Sequence, residues 1–401
     1  MGVNRTGWLL LPVLLAAALF LPALGGRTIY ISDEARYALL ARNMIERGHW
    51  LVPHIGGDVH LEKPPLFMWA IAVLSLIPGD VTELTAALPA AVSGIAGVGV
   101  TFLLGRRLFG PAGGLLAGIV LATTSGYFSL ARAVLADMTM TLFIVCSVWA
   151  FWSAVETSGS GVRAMLACYA CLGLALSAKG PAGLTPLLAF AAFLVTEDGW
   201  RGLTRLRLPM GIAIIALIAS PWAIAFALQR EASYLQTVLR DDYLGPHVAK
   251  WQRVSELFFA AGPLGVKFLP WSLFLPAAVW FGCRDADAAT RRKFRLLTCW
   301  ALAYVVVITL MTHKRERYLL PVYPAGALMV GWLWQRWIAA PDRRALRIHA
   351  WLWGALATAA GIALLLPLRL RTEEAILLPS SPTLKLVAAA GIVVAGAVGL
   401  W

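Results

Sequence analysis

Apolar runs near the length of a bilayer crossing recur along the whole chain, and this constrains the fold more than any other feature. They fall near 8–24, 64–79, 84–105, 111–129, 138–155, 164–178, 181–196, 209–228, 268–283, 296–311, 318–337, 348–367 and 383–401. A spanning helix needs roughly 20 apolar residues, so a chain of this pattern hides its apolar surface in lipid rather than in one core. With 60% of 401 residues hydrophobic and only 14% charged, a disordered chain and a soluble enzyme with one anchor are both excluded. Segment 8–24 follows Arg5 and precedes Ala23-Leu24-Gly25, in the manner of a signal peptide. It is longer than an ordinary signal core and is followed by further spans, which predicts a retained first helix.

The 34 Lys and Arg residues outnumber 21 acids, giving a net charge of +13. They sit in short clusters between apolar runs, which suits cytoplasmic loops and anionic headgroups and not a nucleic-acid face. Segment 64–79 is short, opens with Pro64-Pro65 and closes with Pro78-Gly79-Asp80. If it lies along the interface and the N-terminus is cytoplasmic, Arg106/Arg107, Arg163, Arg201/Arg205/Arg207, Arg284 to Arg295 and Arg336 to Arg347 all face the cytoplasm, as the positive-inside rule requires. The expectation is an all-α polytopic protein of about twelve spans, one membrane domain over 1–401, with an outward soluble domain beyond it absent or truncated. The outward face receives loop 25–83, the stretch about 130–137, the Lys179-Gly180 corner, loop 229–267, the cluster from His313 to Arg317, and 368–382.

Cysteines 146, 168, 171, 283 and 299 all lie in or beside apolar runs, so Cys168-x-x-Cys171 reads as helix packing and not as a metal or redox motif. Gly114 and Gly118 read as close helix packing. In the first outward loop, Tyr37, Leu40, Ala41 and Met44 recur at helical spacing opposite Arg36, Glu46 and Arg47, which predicts an amphipathic surface helix. Ser32 fits its N-cap, and Asp33 and Glu34 suit its first turn, so capping alone would explain the acidic pair. Pro64 and Pro65 fix the backbone after Lys63 and present that lysine at headgroup level, where a snorkelling role would also suffice. Asp137 opens a span, where an acid is either a helix cap or functional.

Six elements, DEARYALLARNM, GGDVHLEKPPLF, GRRLFG, ARAVLADMTMTLF, SAKGPAGL and HKRERYLLPVYPA, follow one another in that order. Together they resemble the polyprenyl-phosphate-sugar-dependent GT-C glycosyltransferases, in the bacterial branch that includes the lipid A aminoarabinose transferases and relatives of protein O-mannosyltransferases. The likeness runs from about residue 28 to about residue 337. It implies a GT-C membrane fold with juxtamembrane helices in the first periplasmic loop. It also implies transfer of a sugar from undecaprenyl phosphate to a lipid, glycan or protein acceptor, with inversion, at an active site facing the periplasm from the inner membrane. By this resemblance Asp33, with Glu34 beside it, and Asp137 are the catalytic acids. Lys63, Lys179, Lys314, Arg317 and Tyr318 fall at the carrier phosphate, and Glu62 at a position that binds a divalent metal in some members.

Elementary chemistry agrees with these roles. A departing lipid phosphate needs cations at the outer boundary, and a carboxylate can orient the acceptor or stabilise positive charge on the sugar. No P-loop or Gly-rich strand-to-helix turn occurs, so a nucleotide domain is not expected. Arg240 and His247, in the long outward loop, are weaker site candidates. The alternative class is a secondary transporter or lipid-linked sugar flippase. A transporter predicts a repeat of its first half and charges near the midplane, whereas the DEARYA and EKPP elements occur once and the charges sit at span ends.

Overall fold

The computed structural model describes residues 7–29, 31–56, 58–59, 63–156, 161–228, 259–311, 314–341, 347–348, 351 and 354–355. Glu62, Arg240, His247 and His313, most of loop 229–267, the stretch 368–382 and nearly all of the spans expected over 348–367 and 383–401 lie outside the described residues. The described chain is helical apart from a two-stranded antiparallel hairpin, β1 (His54–Ile55) and β2 (Asp58–Val59). Five described helices are long and apolar enough to cross a membrane, and one bent pair would make a sixth.

The helix α1 (Gly7–Phe20) is followed by the loop expected to face outward, which carries α2 (Ser32–Arg47) and α3 (Leu66–Ser75). The expected apolar face of α2 is the packed one: Leu40, Ala41 and Met44 are fully buried, and Tyr37 meets the Phe67 ring of α3 edge-on at 5.2 Å between centroids. Ser32 does not cap α2; Ile31 occupies that position without a side-chain bond. Ten residues in α3 reach only about 15 Å at 1.5 Å per residue, half of a bilayer core, so this segment does not cross as a helix. Pro65 starts it, and the Ser75 hydroxyl donates to Thr85 at 2.7 Å to close the corner with the next helix.

That next helix, α4 (Glu83–Ala122), holds two expected spans. At Gly110 the backbone takes φ 86° and ψ 177°, which breaks the helix before Pro111. A Cβ on Gly105 would stand 2.9 Å from the Gly114 Cα, and one on Gly114 would stand 2.6 Å from Phe102 O. Residues that far apart in sequence touch only if the chain doubles back, so α4 is a hairpin closed by glycine. Gly118 meets Pro12 of α1 in the same manner. The packing role expected for Gly114 and Gly118 is therefore what the structure shows.

Then follow α5 (Ser125–Ala131), α6 (Asp137–Glu156), α7 (Val162–Lys179), α8 (Pro186–Asp198) and α9 (Leu208–Ala227). Cys168 is buried within α7, and the five cysteines are free thiols. The span expected over 268–283 differs from expectation. Helix α10 (Ala261–Lys267) and the segment Trp271–Cys283, which contains α11 (Leu275–Cys283), meet at 119°. Pro270 falls at the bend and Pro276 in the first turn of α11, where a missing backbone donor is tolerated, so the prolines favour a helix start here over a continuous helix. Helix α12 (Ala288–Leu310) and helix α13 (Tyr323–Ala339) complete the described bundle, joined through a 3-10 helix, Glu316–Val322.

Candidate active site

The start of α6, the end of α7, the 3-10 helix before α13 and the start of α2 converge on one face. Asp137 begins α6 and Lys179 ends α7; both are nearly buried and their side chains pair directly. Arg317, at the start of the 3-10 helix, pairs through Nη2 with Asp33 Oδ2 on α2, while its Nε stands 3.9 Å from Asp137 Oδ2. One guanidinium thus lies between the two acids that are 104 residues apart in the sequence. Arg315 adds a second bond to Asp33 Oδ2 at 2.6 Å, and Arg36 stands 3.9 Å from Asp33 Oδ1. The Lys179 ammonium also lies over the Tyr318 ring, 4.6 Å from its centroid.

Burial disfavours ionisation of Asp33, but the hydrogen bond and charge of Arg317, helped by Arg315 and Arg36, outweigh it and hold this carboxyl below the ordinary aspartate value. Tyr37 is pushed the other way: burial chiefly, then the Asp137 carboxylate, raise its phenol, which stays neutral. The charges of Arg317 and Asp33 also act on it, so Tyr37 belongs to the same cluster. Its position on the apolar stripe of α2 hid this in the sequence.

Lys63 precedes the buried Pro64-Pro65 pair, and its charge bears on the Lys179 ammonium. Lys314 leads into the stretch that carries Arg315 and Arg317. Glu62 lies outside the described residues. Among those described, no three His, Cys, Asp or Glu side chains group closely enough to hold a metal ion.

Glu34 points elsewhere. It is fully buried, pairs with Arg27, and accepts the Val134 backbone N–H at 2.9 Å. Neighbouring helix residues point about 100° apart, so one acidic pair serves two places: Asp33 the cationic cluster, Glu34 the loop that presents Asp137. Arg132, on that loop, donates to Phe20 O at 2.9 Å and Pro22 O at 2.7 Å, which satisfies carbonyls at the C-terminal end of α1. Arg27, Arg132 and Arg315 were missed as functional candidates. Of these, Arg132 and Arg315 lay within the elements named above, ARAVLADMTMTLF and HKRERYLLPVYPA, and Arg27 lay in none.

A bundle with these juxtamembrane helices and an acid–cation cluster at its span ends has the fold of the GT-C membrane glycosyltransferases, and the chain is a membrane protein. A family model described as dolichyl-phosphate-mannose-protein mannosyltransferase matches residues 62–224. An undecaprenyl phosphate-alpha-4-amino-4-deoxy-L-arabinose arabinosyl transferase of Edwardsiella ictaluri is 28% identical over 354 residues, 86% of this chain and 62% of the relative. Its counterpart 1 from Pseudomonas fluorescens is 29% identical over 383 residues, 89% of this chain and 63% of the relative. The chain therefore spans under two thirds of the length of these relatives. Among solved structures, ArnT from Cupriavidus metallidurans bound to undecaprenyl phosphate superposes with a TM-score of 0.79 at 23% identity, covering 99% of this chain and 71% of that one. The Archaeoglobus fulgidus oligosaccharyltransferase gives 0.58 at 14% identity, covering 98% and 53%. The likeness expected from the sequence elements, and the fold it implies, are thus found.

Proposed function

We propose that the protein is a glycosyltransferase that moves a sugar from a polyprenyl phosphate, such as undecaprenyl phosphate, to a lipid, glycan or protein acceptor. The observation that carries this reading is Arg317 lying between Asp33 and Asp137. Against those two carboxylates stand Arg317, Arg315, Arg36 and Lys179, with Lys63 acting on the last, so the cluster keeps a surplus of positive charge. Such a surplus at span ends suits the phosphate of a lipid carrier. The buried Nε–H of Arg317 has no hydrogen-bond partner among the described residues and is a donor for that phosphate.

In the reaction the acceptor oxygen attacks the anomeric carbon from the face opposite the phosphate. The bond from that carbon to the phosphate oxygen breaks, and the electron pair leaves with the polyprenyl phosphate. Asp33, kept ionised, orients the acceptor hydroxyl, takes its proton and stabilises positive charge on the sugar ring. Arg317, Lys179, Lys63 and Lys314 stabilise the leaving phosphate, and Tyr318 holds Lys179 in place through its ring. Glu34 and Arg27 fix the loop that leads to Asp137. The whole chain acts as one membrane domain in the inner membrane with this cluster facing the periplasm, a placement supported by the basic clusters at the opposite span ends. Glu62, where a carboxylate would be needed, is the residue that would hold a divalent metal.

Purified protein in detergent should consume polyprenyl monophosphate sugar and release polyprenyl phosphate. Charge-assisted phosphate contacts contribute roughly 1.5 to 3 kcal/mol each, so Lys63→Ala should lower kcat/KM by about ten- to a hundredfold. Turnover of a nucleotide sugar with no lipid carrier present would overturn the reading.

A further inference from the structure

The ends of the spans opposite the Asp33 cluster hold a second polar surface. Helix α13 begins at Tyr323, near Tyr318 of the cluster, and its 17 residues rise roughly 25 Å, so its last turn reaches the other membrane boundary. There a cleft of about 410 Å³ opens between the α4 hairpin tip at Gly110, Thr290 and Lys293 of α12, and Trp332, Gln335 and Arg336 of α13. A second cleft of about 400 Å³ adjoins it across Arg336 and is walled mainly by Phe281, Trp337, Ala340 and Pro341. One side is therefore polar and cationic, the other apolar.

The polar groups are arranged for an anion. Lys293 lies over the Phe109 ring, 5.8 Å from its centroid. The nearby acid Asp287 is occupied in capping α12, accepting from the backbone of Ala289 and Thr290 and from the Thr290 hydroxyl. Arg336 pairs with Asp285 and lies over the Trp332 ring at 5.5 Å. After Gly110 the helix restarts at Pro111, and the first N–H groups of a helix lack intrahelical partners and favour anions. Gln335 lines the same cleft, with its Oε1 packed against Gly113 of α4.

We propose that the two clefts bind one anionic phospholipid of that leaflet. Its phosphate meets Lys293, Arg336 and the restarted helix, and the glyceryl end and first acyl carbons lie in the apolar cleft. The site is separated from the donor cluster by the thickness of the membrane and does not depend on the sugar-transfer reading.

The test reconstitutes the full chain in nanodiscs of mixed phosphatidylcholine and phosphatidylglycerol and counts retained lipids by native mass spectrometry. The wild type should retain one phosphatidylglycerol more than Lys293→Glu does. Each cation near a membrane surface contributes about 1 kcal/mol toward anionic lipid, so preference should fall about fivefold in Lys293→Gln and further in Lys293→Glu. Equal retention by the wild type and both variants would overturn the proposal. Displacement of the retained lipid by inorganic phosphate would overturn it as well, since the site would then take a free anion.

Discussion

At the scale of single residues, the site is organised by pairings between side chains that the sequence keeps far apart. Asp33 is 16% exposed and pairs with Arg317, 18% exposed, as well as with the exposed Arg315, and Asn keeps its volume and one acceptor oxygen, so replacing this carboxylate costs about 1 to 3 kcal/mol of folding energy, which a membrane bundle tolerates. Asp33→Asn should therefore lower turnover about a hundredfold or more while the protein still elutes as one species from size-exclusion chromatography. Near wild-type turnover would mean that Asp33 does no chemistry. The same pairings set a pH dependence. Asp33 is ionised above its depressed pKa, so the acidic limb of kcat/KM should lie below the ordinary carboxylate range. Arg315→Gln removes one of the depressing charges, and the limb should move to higher pH; because Arg315 is exposed, added salt should shrink the difference. A limb at the same pH in both proteins would exclude this coupling. Glu34 behaves oppositely: Glu34→Ala leaves Arg27 and the Val134 N–H without their partner, which costs about 3 kcal/mol for a buried pair, whereas Glu34→Gln keeps the amide contact and recovers part of it. Thermal melts in detergent separate these two variants. The presence of Asp33, Asp137, Lys179 and Arg317 was legible in the sequence elements, but who pairs with whom was not, because Arg317 meets Asp33 across 284 positions.

At the scale of elements, what could be read was what periodicity and proline write locally. The buried stripe of α2 and the short α3 behind Pro64-Pro65 follow from spacing and length. The bend between α10 and α11 did not follow, since apolar content stays high through Pro270 and Pro276 and a hydropathy window does not register a lost backbone donor. Glycine carries a similar burden in α4. With a Cβ, Gly114 would come within 2.6 Å of backbone atoms at Phe102 and Arg106, which cannot rotate aside as a side chain can. Gly114→Val should destabilise the chain by about 1 to 3 kcal/mol, read as a lower melting temperature. Gly262→Ala, where nothing lies within 4 Å and the residue sits in α10, should leave the melt unchanged or raise it. Equal melts for the two variants would show that the hairpin does not depend on close backbone contact.

At the scale of the whole molecule, charge and helix direction support the orientation proposed above. The basic positions Arg106, Arg107, Arg205, Arg292 and Arg336 lie at span ends away from the Asp33 cluster, several of them paired with acids on neighbouring helices, as Arg107 is with Glu156 at 2.7 Å and Arg292 is with Glu197 at 2.5 Å. A chain with a surplus of Lys and Arg at one boundary keeps that boundary in the cytoplasm. In the proposed orientation the opposite end, with α2, α3 and the β1–β2 hairpin, faces outward. Because α3 is too short to cross, the count of crossings between Val52 and Arg106 is odd, one pass through the first arm of α4. Single cysteines placed near Arg106 and near Arg205 should accordingly resist an impermeant thiol reagent in intact cells, while one near His54 should react. If the cysteine near Arg106 labelled from outside together with that near His54, α3 and the first arm of α4 would both have to cross, and the site would be divided between two faces of the membrane, which the contact of Arg317 with both Asp33 and Asp137 forbids.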